Sequence, residues 1–281
     1  MTTQAFSPAK INLYLRIVGK RPDGYHELET VMLPLDFGDT MTFEPRPTGI
    51  VLECSDPRLP VDDRNLVVRA AKLLGTRGAK ITLQKRTPLA AGLGGGSSNA
   101  AATLLALNQG ESPAALNALA AQLGSDINFF LAGGAALCHG RGELVEPVAC
   151  KLTAAILLAN PGFGISTKWA YESWEKAAEL IGHPPEVSLL LRALAEDDLA
   201  AVCRSLYNSL ESPSVGKFPV LELLKDTMRA RGAAGALMSG SGATVFGLFA
   251  DAAAAEACAA HLRQEFGPSL WTAVAHFAKR S

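Results

Sequence analysis

Pro88-Leu89-Ala90-Ala91-Gly92-Leu93-Gly94-Gly95-Gly96-Ser97-Ser98-Asn99 stands between two segments of different periodicity. On its N-terminal side residues 80–85 alternate as a strand does, and on its C-terminal side residues 99–107 are almost all small or aliphatic, the pattern of a buried helix. A strand is therefore aimed through a glycine-rich turn at the start of a helix. Glycine admits positive φ and lets a ligand approach the backbone, while the first N–H groups of a helix have no intrahelical acceptor. Such a segment is built to hold phosphate oxygens. Ser97 and Ser98 add hydroxyls for a phosphate or a magnesium ion. No Gly-Lys-Ser/Thr follows, so this is not a Walker A loop, and the GxGxxG spacing of dinucleotide folds is absent. A flexible Gly/Ser linker would not join a strand to an apolar helix so directly.

Upstream the pattern is mostly β. Residues 11–18 read as a strand broken by the turn formers of residues 19–24, and further strands are expected at 28–35, 41–44 and 50–54. A helix over residues 65–74 closes at Gly75. Downstream, Ser112 followed by Pro113 opens a helix that Gly124 stops. The second half has its own order: a strand at 154–160, a stretch of helices, a helix at 218–231, strands at 236–239 and 244–249, a helix at 251–266 and a strand at 270–275. That is close to the β-α-β-β-α-β order of a ferredoxin-like sandwich with extra helices after the first strand. The expected fold class is α+β, with an N-terminal β-α domain over residues 1–155 and a ferredoxin-like domain over residues 156–281.

A phosphate loop without a lysine draws its cations from elsewhere in the fold and from bound metal. In Ser7-Pro8-Ala9-Lys10-Ile11-Asn12-Leu13 a lysine sits at the expected start of a strand, with Pro8 fixing its approach. Alone, such a lysine is usually a solvated charge. Gly124-Ser125-Asp126-Ile127-Asn128-Phe129-Phe130-Leu131 offers one carboxylate at a turn between helices, where Asp serves equally as a helix N-cap. Leu237-Met238-Ser239-Gly240-Ser241-Gly242-Ala243-Thr244 is a Gly/Ser turn between two strands, either a tight hairpin or a second glycine-rich wall of the site.

The rest of the composition narrows the field. The chain has 281 residues, 48% of them hydrophobic, enough for a well-filled core. With 26 basic and 27 acidic residues the net charge is −1, which gives no field to hold nucleic acid or an anionic bilayer. The five cysteines are scattered without CxxC spacing, which points to a reducing cytoplasm rather than a zinc site or a disulfide framework. Residues 1–4 lead straight into a strand-like segment, and no apolar run has the length of a membrane span, so neither export nor membrane insertion is expected. Oligomeric state leaves no mark in the pattern.

Together, and at these separations, Pro8-Ala9-Lys10-Ile11-Asn12-Leu13, the loop from Pro88 to Ser98, and Ser239-Gly240-Ser241-Gly242 resemble the three motifs of the galactokinase, homoserine kinase, mevalonate kinase and phosphomevalonate kinase superfamily. Within it, Arg21-Pro22-Asp23-Gly24-Tyr25-His26-Glu27-Leu28-Glu29-Thr30-Val31-Met32 is similar to the segment that marks the diphosphocytidyl-methylerythritol kinases. Asp63-Arg64-Asn65-Leu66, Leu123-Gly124-Ser125-Asp126 and Asn160-Pro161-Gly162 are similar to their neighbouring motifs. One departure is Ile127-Asn128-Phe129 after Asp126, where the family pattern has a proline before the phenylalanine.

The resemblance implies a two-domain kinase using ATP and Mg²⁺, which moves the γ-phosphoryl group to the 2-hydroxyl of a cytidine-diphosphate-linked methylerythritol in non-mevalonate isoprenoid synthesis. The partner it implies is a small molecule. Lys10 and Asp126 become the catalytic pair, and Pro88, Leu89, Ala90, Ala91, Gly92, Leu93, Gly94, Gly95, Gly96, Ser97 and Ser98 the phosphate cradle. Asn65 and Lys85 fall near the nucleotide, and Asn12, Tyr25, His26, Tyr171 and Gly240 on the acceptor side. Tyr25 and Tyr171 are expected to sandwich the cytosine while His26 bonds its edge, with Trp169 replacing Tyr171 if the register slips by two. The resemblance assigns no protein ligand to the metal. Competing readings are another kinase of the superfamily, a nucleotide-binding protein without catalysis, and an RNA-binding β-α domain. The Asp-Gly-Tyr-His segment, the Lys10 and Asp126 pair, and the near-neutral charge weigh against them in turn.

Overall fold

The computed structural model describes residues 1–177 and 183–278. Its first sheet is built on a long antiparallel pair, β1 (Thr3–Lys20) and β2 (His26–Pro45), whose register runs from Thr3↔Phe43 to Lys20↔His26. The strands expected at 28–35 and 41–44 are one strand, because residues 36–39 stay extended. Gly38 makes this possible: a Cβ there would run into the Ser7 carbonyl and the Pro8 backbone. Lys10, expected at a strand start, lies in mid-strand. Pro8, which lacks an N–H, is accommodated at a register shift between Pro8 and Lys10.

β3 (Gly49–Cys54) leads through α1 (Leu66–Leu73) to β4 (Gly78–Gln84), with β3 parallel to β4 and β4 antiparallel to the C-terminal part of β2. Then come α2 (Gly95–Ala106), α3 (Pro113–Leu123) and α4 (Ile127–Ala132), followed by a hairpin of β5 (Ala136–Gly140) and β6 (Leu144–Pro147). β5 pairs with Leu28 to Met32 at the other end of β2. Ser112 caps α3 by accepting from Ala115 N at 3.2 Å, and Gly124 ends it, as the sequence implies.

The second sheet contains β7 (Ala155–Asn160), then, beyond α5 (Thr167–Ala177), α6 (Val187–Glu196), α7 (Leu199–Arg204), β8 (Tyr207–Asn208), α8 (Glu211–Lys217) and α9 (Val220–Ala230), the strands β9 (Gly235–Met238) and β10 (Val245–Phe249), and, after α10 (Ala252–Phe266), β11 (Trp271–Ala275). Its order is β11-β7-β10-β9, antiparallel throughout, which is the ferredoxin-like arrangement. The insertion does more than add helices, since β8 leaves this sheet and pairs in parallel with Tyr14 and Leu15 of β1.

β7 is buried on both faces, and its period of two feeds two cores. Ile156 and Leu158 pack with Ile11, Leu13 and Leu33 of the first sheet, while Ala155, Leu157 and Ala159 pack with Leu224 and Met228 of α9 and Leu262 of α10. The same period acts on β1. Ala9, Ile11 and Leu13 enter the shared core, so Lys10 and Asn12 emerge on the opposite face.

Gly38→Ala is expected to destabilise the protein by about 1–3 kcal/mol, the range for forcing an extra carbon into filled space, whereas Gly19→Ala in the same pair of strands, with nothing within 4 Å of a new Cβ, stays within about 0.5 kcal/mol of the parent. Denaturant midpoints of the two variants check this, and equal midpoints would remove the close-approach explanation.

Candidate active site

A cavity of about 1130 Å³ opens along β1, the turn before β2, the glycine-rich loop, α5 and the turn between β9 and β10. The loop enters it with positive φ at Ala90 (50°), Gly92 (76°) and Gly94 (68°). A Cβ on Gly92 would strike the Ser239 carbonyl, and one on Gly94 would come within about 3 Å of the Phe130 ring and the Lys10 side chain. The helix begins at Gly95, four residues before its apolar run, and Ser98 N is bonded to Gly94 O at 2.9 Å. The N–H groups of Gly95, Gly96 and Ser97 thus form the open end of a twelve-residue helix, where an anion is favoured.

Of the loop residues expected to touch phosphate, Pro88 through Ser97 line the cavity and Ser98 does not. Ser98 turns into the core, where its Oγ accepts from Ser7 Oγ at 2.8 Å. Successive helical positions differ by about 100°, so the early start of α2 that exposes Ser97 hides Ser98.

Asp39, which nothing in the strand pattern marks, lies beneath the loop and is fully buried. Its carboxylate accepts from Arg86 N at 2.8 Å, Thr87 N at 2.9 Å, Asn99 Nδ2 at 3.0 Å and the Lys85 ammonium. Lys85 is thereby held with its Nζ 3.1 Å from where a Cβ of Gly95 would stand. Asn65 caps α1 by accepting from Val67 N at 3.0 Å, and it shares the cavity wall with Leu59, Pro60 and Leu66.

At the cavity floor Lys10 Nζ stands 3.6 Å from Asp126 Oδ2 and donates to Asn12 Oδ1. Lys10 is 4% exposed, and a cation so buried requires its partners. Asn12 is held in turn, donating from Nδ2 to Thr30 Oγ1 at 2.9 Å, with Thr30 donating to Tyr14 O. Asp126 does occupy the N-cap position of α4, yet its side chain makes no capping bond, so the carboxylate faces Lys10 instead. Its charge is felt nearby: the Cys138 thiol is pushed up to about 12 by burial and then by Asp126. The Ser239–Gly242 turn closes over this pair. Ser239 Oγ donates to Gly92 O at 3.0 Å, and Asn208 on β8 holds the Met238 and Gly240 carbonyls at 2.8 Å each.

The part of the cavity around Tyr25 and Tyr171 differs from expectation. Tyr25 and Tyr171 both line the cavity, but the ring on Tyr171 is that of His26, stacked at 4.9 Å and 21°. Tyr25 is 54% exposed and lies under the Arg141 guanidinium at 4.9 Å. His26 Nε2 is already engaged with Glu175 Oε1 at 3.0 Å. Trp169 is absent from the cavity wall and packs against Phe218 and the Lys217 ammonium, so the register favours Tyr171. Burial, then the charge of Asp126, raises the Tyr171 hydroxyl far above its ordinary range. Arg141, Lys20 and Glu175 had no signal in the sequence beyond ordinary surface charge.

Among the described residues no three His, Cys, Asp or Glu side chains converge as a metal cage. No helix of the structure is long and apolar enough to cross a membrane.

Comparison with known proteins places this geometry. The model of the GHMP kinases N terminal domain matches residues 65–134, and that of the GHMP kinases C terminal matches residues 190–268. A 4-diphosphocytidyl-2-C-methyl-D-erythritol kinase of Pelotomaculum thermopropionicum is 44% identical over 274 residues, covering 94% of this chain and 95% of that one. The crystal structure of a 4-(cytidine 5'-diphospho)-2C-methyl-D-erythritol kinase superposes with a TM-score of 0.81 at 36% identity, over 98% of this chain and 100% of the other. An L. major mevalonate kinase shares the fold at a TM-score of 0.74 with 18% identity, over 99% and 97% of the two chains. With both kinase domain models matched in order and such identity over nearly the full length of both chains, this protein belongs to the 4-diphosphocytidyl-2-C-methyl-D-erythritol kinase family of the GHMP kinases.

Proposed function

We propose that this kinase transfers the γ-phosphoryl group of ATP to the 2-hydroxyl of 4-diphosphocytidyl-2-C-methyl-D-erythritol, giving the 2-phosphate and ADP, and that Lys10 and Asp126 carry the transfer. The observation behind the residue assignment is the placement of a buried lysine and an uncapped carboxylate 3.6 Å apart on the floor of the cavity that the α2 N-terminus also lines. A loose phosphoryl transition state needs alignment and neutralised charge more than covalent help. The free N–H groups at the start of α2 and the Lys85 ammonium receive the phosphates. Asp126 accepts the proton of the acceptor hydroxyl as its oxygen bonds to phosphorus and the bond to the β-phosphate oxygen breaks. Lys10 steadies the oxygen as negative charge builds on it.

Magnesium, bound mainly by phosphate oxygens as is usual for this ion, would neutralise the β and γ groups, with the Ser97 hydroxyl as a cavity-lining oxygen suited to hold it. Leu59, Pro60 and Leu66 supply an apolar wall suited to adenine, with the Asn65 amide beside it. Asn12, Tyr25, His26, Tyr171 and Gly240 line the acceptor side. On this reading residues 1–155 supply the loop and the catalytic pair, and residues 156–281 complete the acceptor site through Tyr171 and Gly240. The free thiols of Cys54, Cys138, Cys203 and Cys258 support a reducing cytoplasm as the compartment.

A coupled ADP-release assay comparing the cytidyl substrate with homoserine, mevalonate and galactose tests the substrate, and turnover of one of the others in its place would overturn the reading. Asp126→Asn and Lys10→Met should each lower kcat by roughly 100-fold or more while ATP binding stays within several-fold, since both groups act chiefly in the transition state. Near-normal turnover in Asp126→Asn would remove it as the base.

Gly95→Val should raise the KM for ATP by about tenfold or more with little change in the KM for the acceptor. The new side chain would press on Lys85 Nζ and the Thr87 methyl, both within 3.2 Å, and fill the space at the helix start. Unchanged ATP saturation would place the phosphates elsewhere.

A further inference from the structure

β9 is an outer strand of the second sheet, and the backbone groups of its last residue, Met238, are met on the free edge by two side chains. Glu211 Oε1 accepts from Met238 N at 2.7 Å, and Asn208 Nδ2 donates to Met238 O. These bonds stand where the ladder bonds of a further strand would. Asn208 is tied to the first sheet through β8, whereas Glu211 is tied to a cation. Lys225 of α9, only 3% exposed, stands with its Nζ 3.0 Å from Glu211 Oε1 and 2.9 Å from Glu222 Oε2. A buried ammonium is a costly way to hold a helix against a sheet, because apolar residues often serve as well. What it supplies here is a fixed place for the Glu211 oxygen.

The turn that follows Met238 lies on the floor of the cavity. Ser239 Oγ accepts from Asn12 N at 3.3 Å and donates to Gly92 O, and a Cβ on Gly240 would stand 3.3 Å from Lys10 Nζ and 3.2 Å from Asn12 Oδ1. Neither Glu211 nor Lys225 lines the cavity, so both act through the backbone of this turn. We propose that Glu211, anchored by Lys225, is a positioning residue for phosphoryl transfer. By holding Met238 N it seats the Ser239–Gly240 backbone against Lys10 and fixes the direction from which the ammonium meets the reacting oxygen. The inference rests on the role given to Lys10 above. A misplacement of about 1 Å at such a contact costs up to about 100-fold in rate.

Lys225→Met alone leaves Glu211 charged without its cation and drawn toward water, so kcat should fall about tenfold while the KM for ATP and for the acceptor stay within about threefold. Two double variants separate positioning from packing, because neither leaves a charge at position 211. In Glu211→Gln/Lys225→Met the amide oxygen still accepts from Met238 N, and kcat should return to within about threefold of the parent. In Glu211→Met/Lys225→Met no acceptor remains, and kcat should stay about tenfold down with both KM values unmoved, even where its denaturant midpoint equals that of the Gln double variant. Parental kcat in the Met double variant, an equal loss in both double variants, or a loss carried by KM overturns the proposal. Lys10→Met, measured beside them, tests the premise. Near-normal turnover there removes the role of Lys10 and this inference with it, while a slow Lys10→Met beside a fully active Met double variant removes this inference alone.

Discussion

The Asp39 carboxylate, with no exposed surface, can stay charged only while donors surround it, and the donors it finds belong to two separate stretches of chain. Two are backbone N–H groups of Arg86 and Thr87, which fix how β4 turns into the loop. The third is Asn99 on the second turn of α2, and the fourth is Lys85 itself. Asn99 also donates to Ser7 Oγ at 2.8 Å and so ties the helix to β1. One buried charge thus sets the distance between the end of β4, the start of α2 and the strand that carries Lys10. Removing a partner from such a group costs about 3–5 kcal/mol, so the arrangement holds as a unit.

From this anchor the remaining walls follow in order. The loop leaves Thr87, reaches Ala91 and Gly92, and is met there by the second sheet, where Thr244 N donates to Ala91 O at 3.2 Å and Ser239 Oγ to Gly92 O. That sheet cannot drift, because one face of β7 and β10 is packed into the same core as Ile11 and Leu13. β8 then crosses back to the first sheet, and from there Asn208 pins the Gly240 carbonyl. The glycine-rich loop and the Lys10–Asp126 pair therefore rest on buried hydrogen bonds that no ligand need supply, which is the condition for electrostatic stabilisation of a transition state.

Much of this was legible in the sequence because the features concerned are local. A strand, a glycine-rich turn and an apolar helix follow one another directly, and the alternation of Ala9 to Leu13 alone decides that Lys10 and Asn12 share a face. Asp39 was not legible. It lies in Asp36-Phe37-Gly38-Asp39, which has the composition of a turn, and the segment stays extended through tertiary contacts, the close passage of Gly38 against Ser7 and the bond from Asp36 N to His276 O. The inward turn of Ser98 is hidden for a related reason, since its direction depends on where α2 begins, and glycines at Gly95 and Gly96 hide that start from any propensity argument. The stacking of His26 on Tyr171 depends on how α5 lies over the first sheet, a tertiary relation that neither segment encodes by itself.

The two ends of the cavity are built by different rules. At the end built by the glycine-rich loop the contacts are backbone N–H groups, glycines in forced conformations and the buried Lys85–Asp39 ion pair, all of which resist exchange. At the acceptor end the walls are side chains projecting from β1, β2 and α5, with Tyr25 more than half exposed and Glu175 reaching across between them. A change there alters what is recognised while the buried network beneath stays intact. A mevalonate kinase keeps this fold at 18% identity, and a fold so shared does not by itself fix what its site recognises. Specificity in this protein therefore has to be sought in the few bonds between exposed groups across the cleft, where substitution shifts affinity without first unfolding the chain.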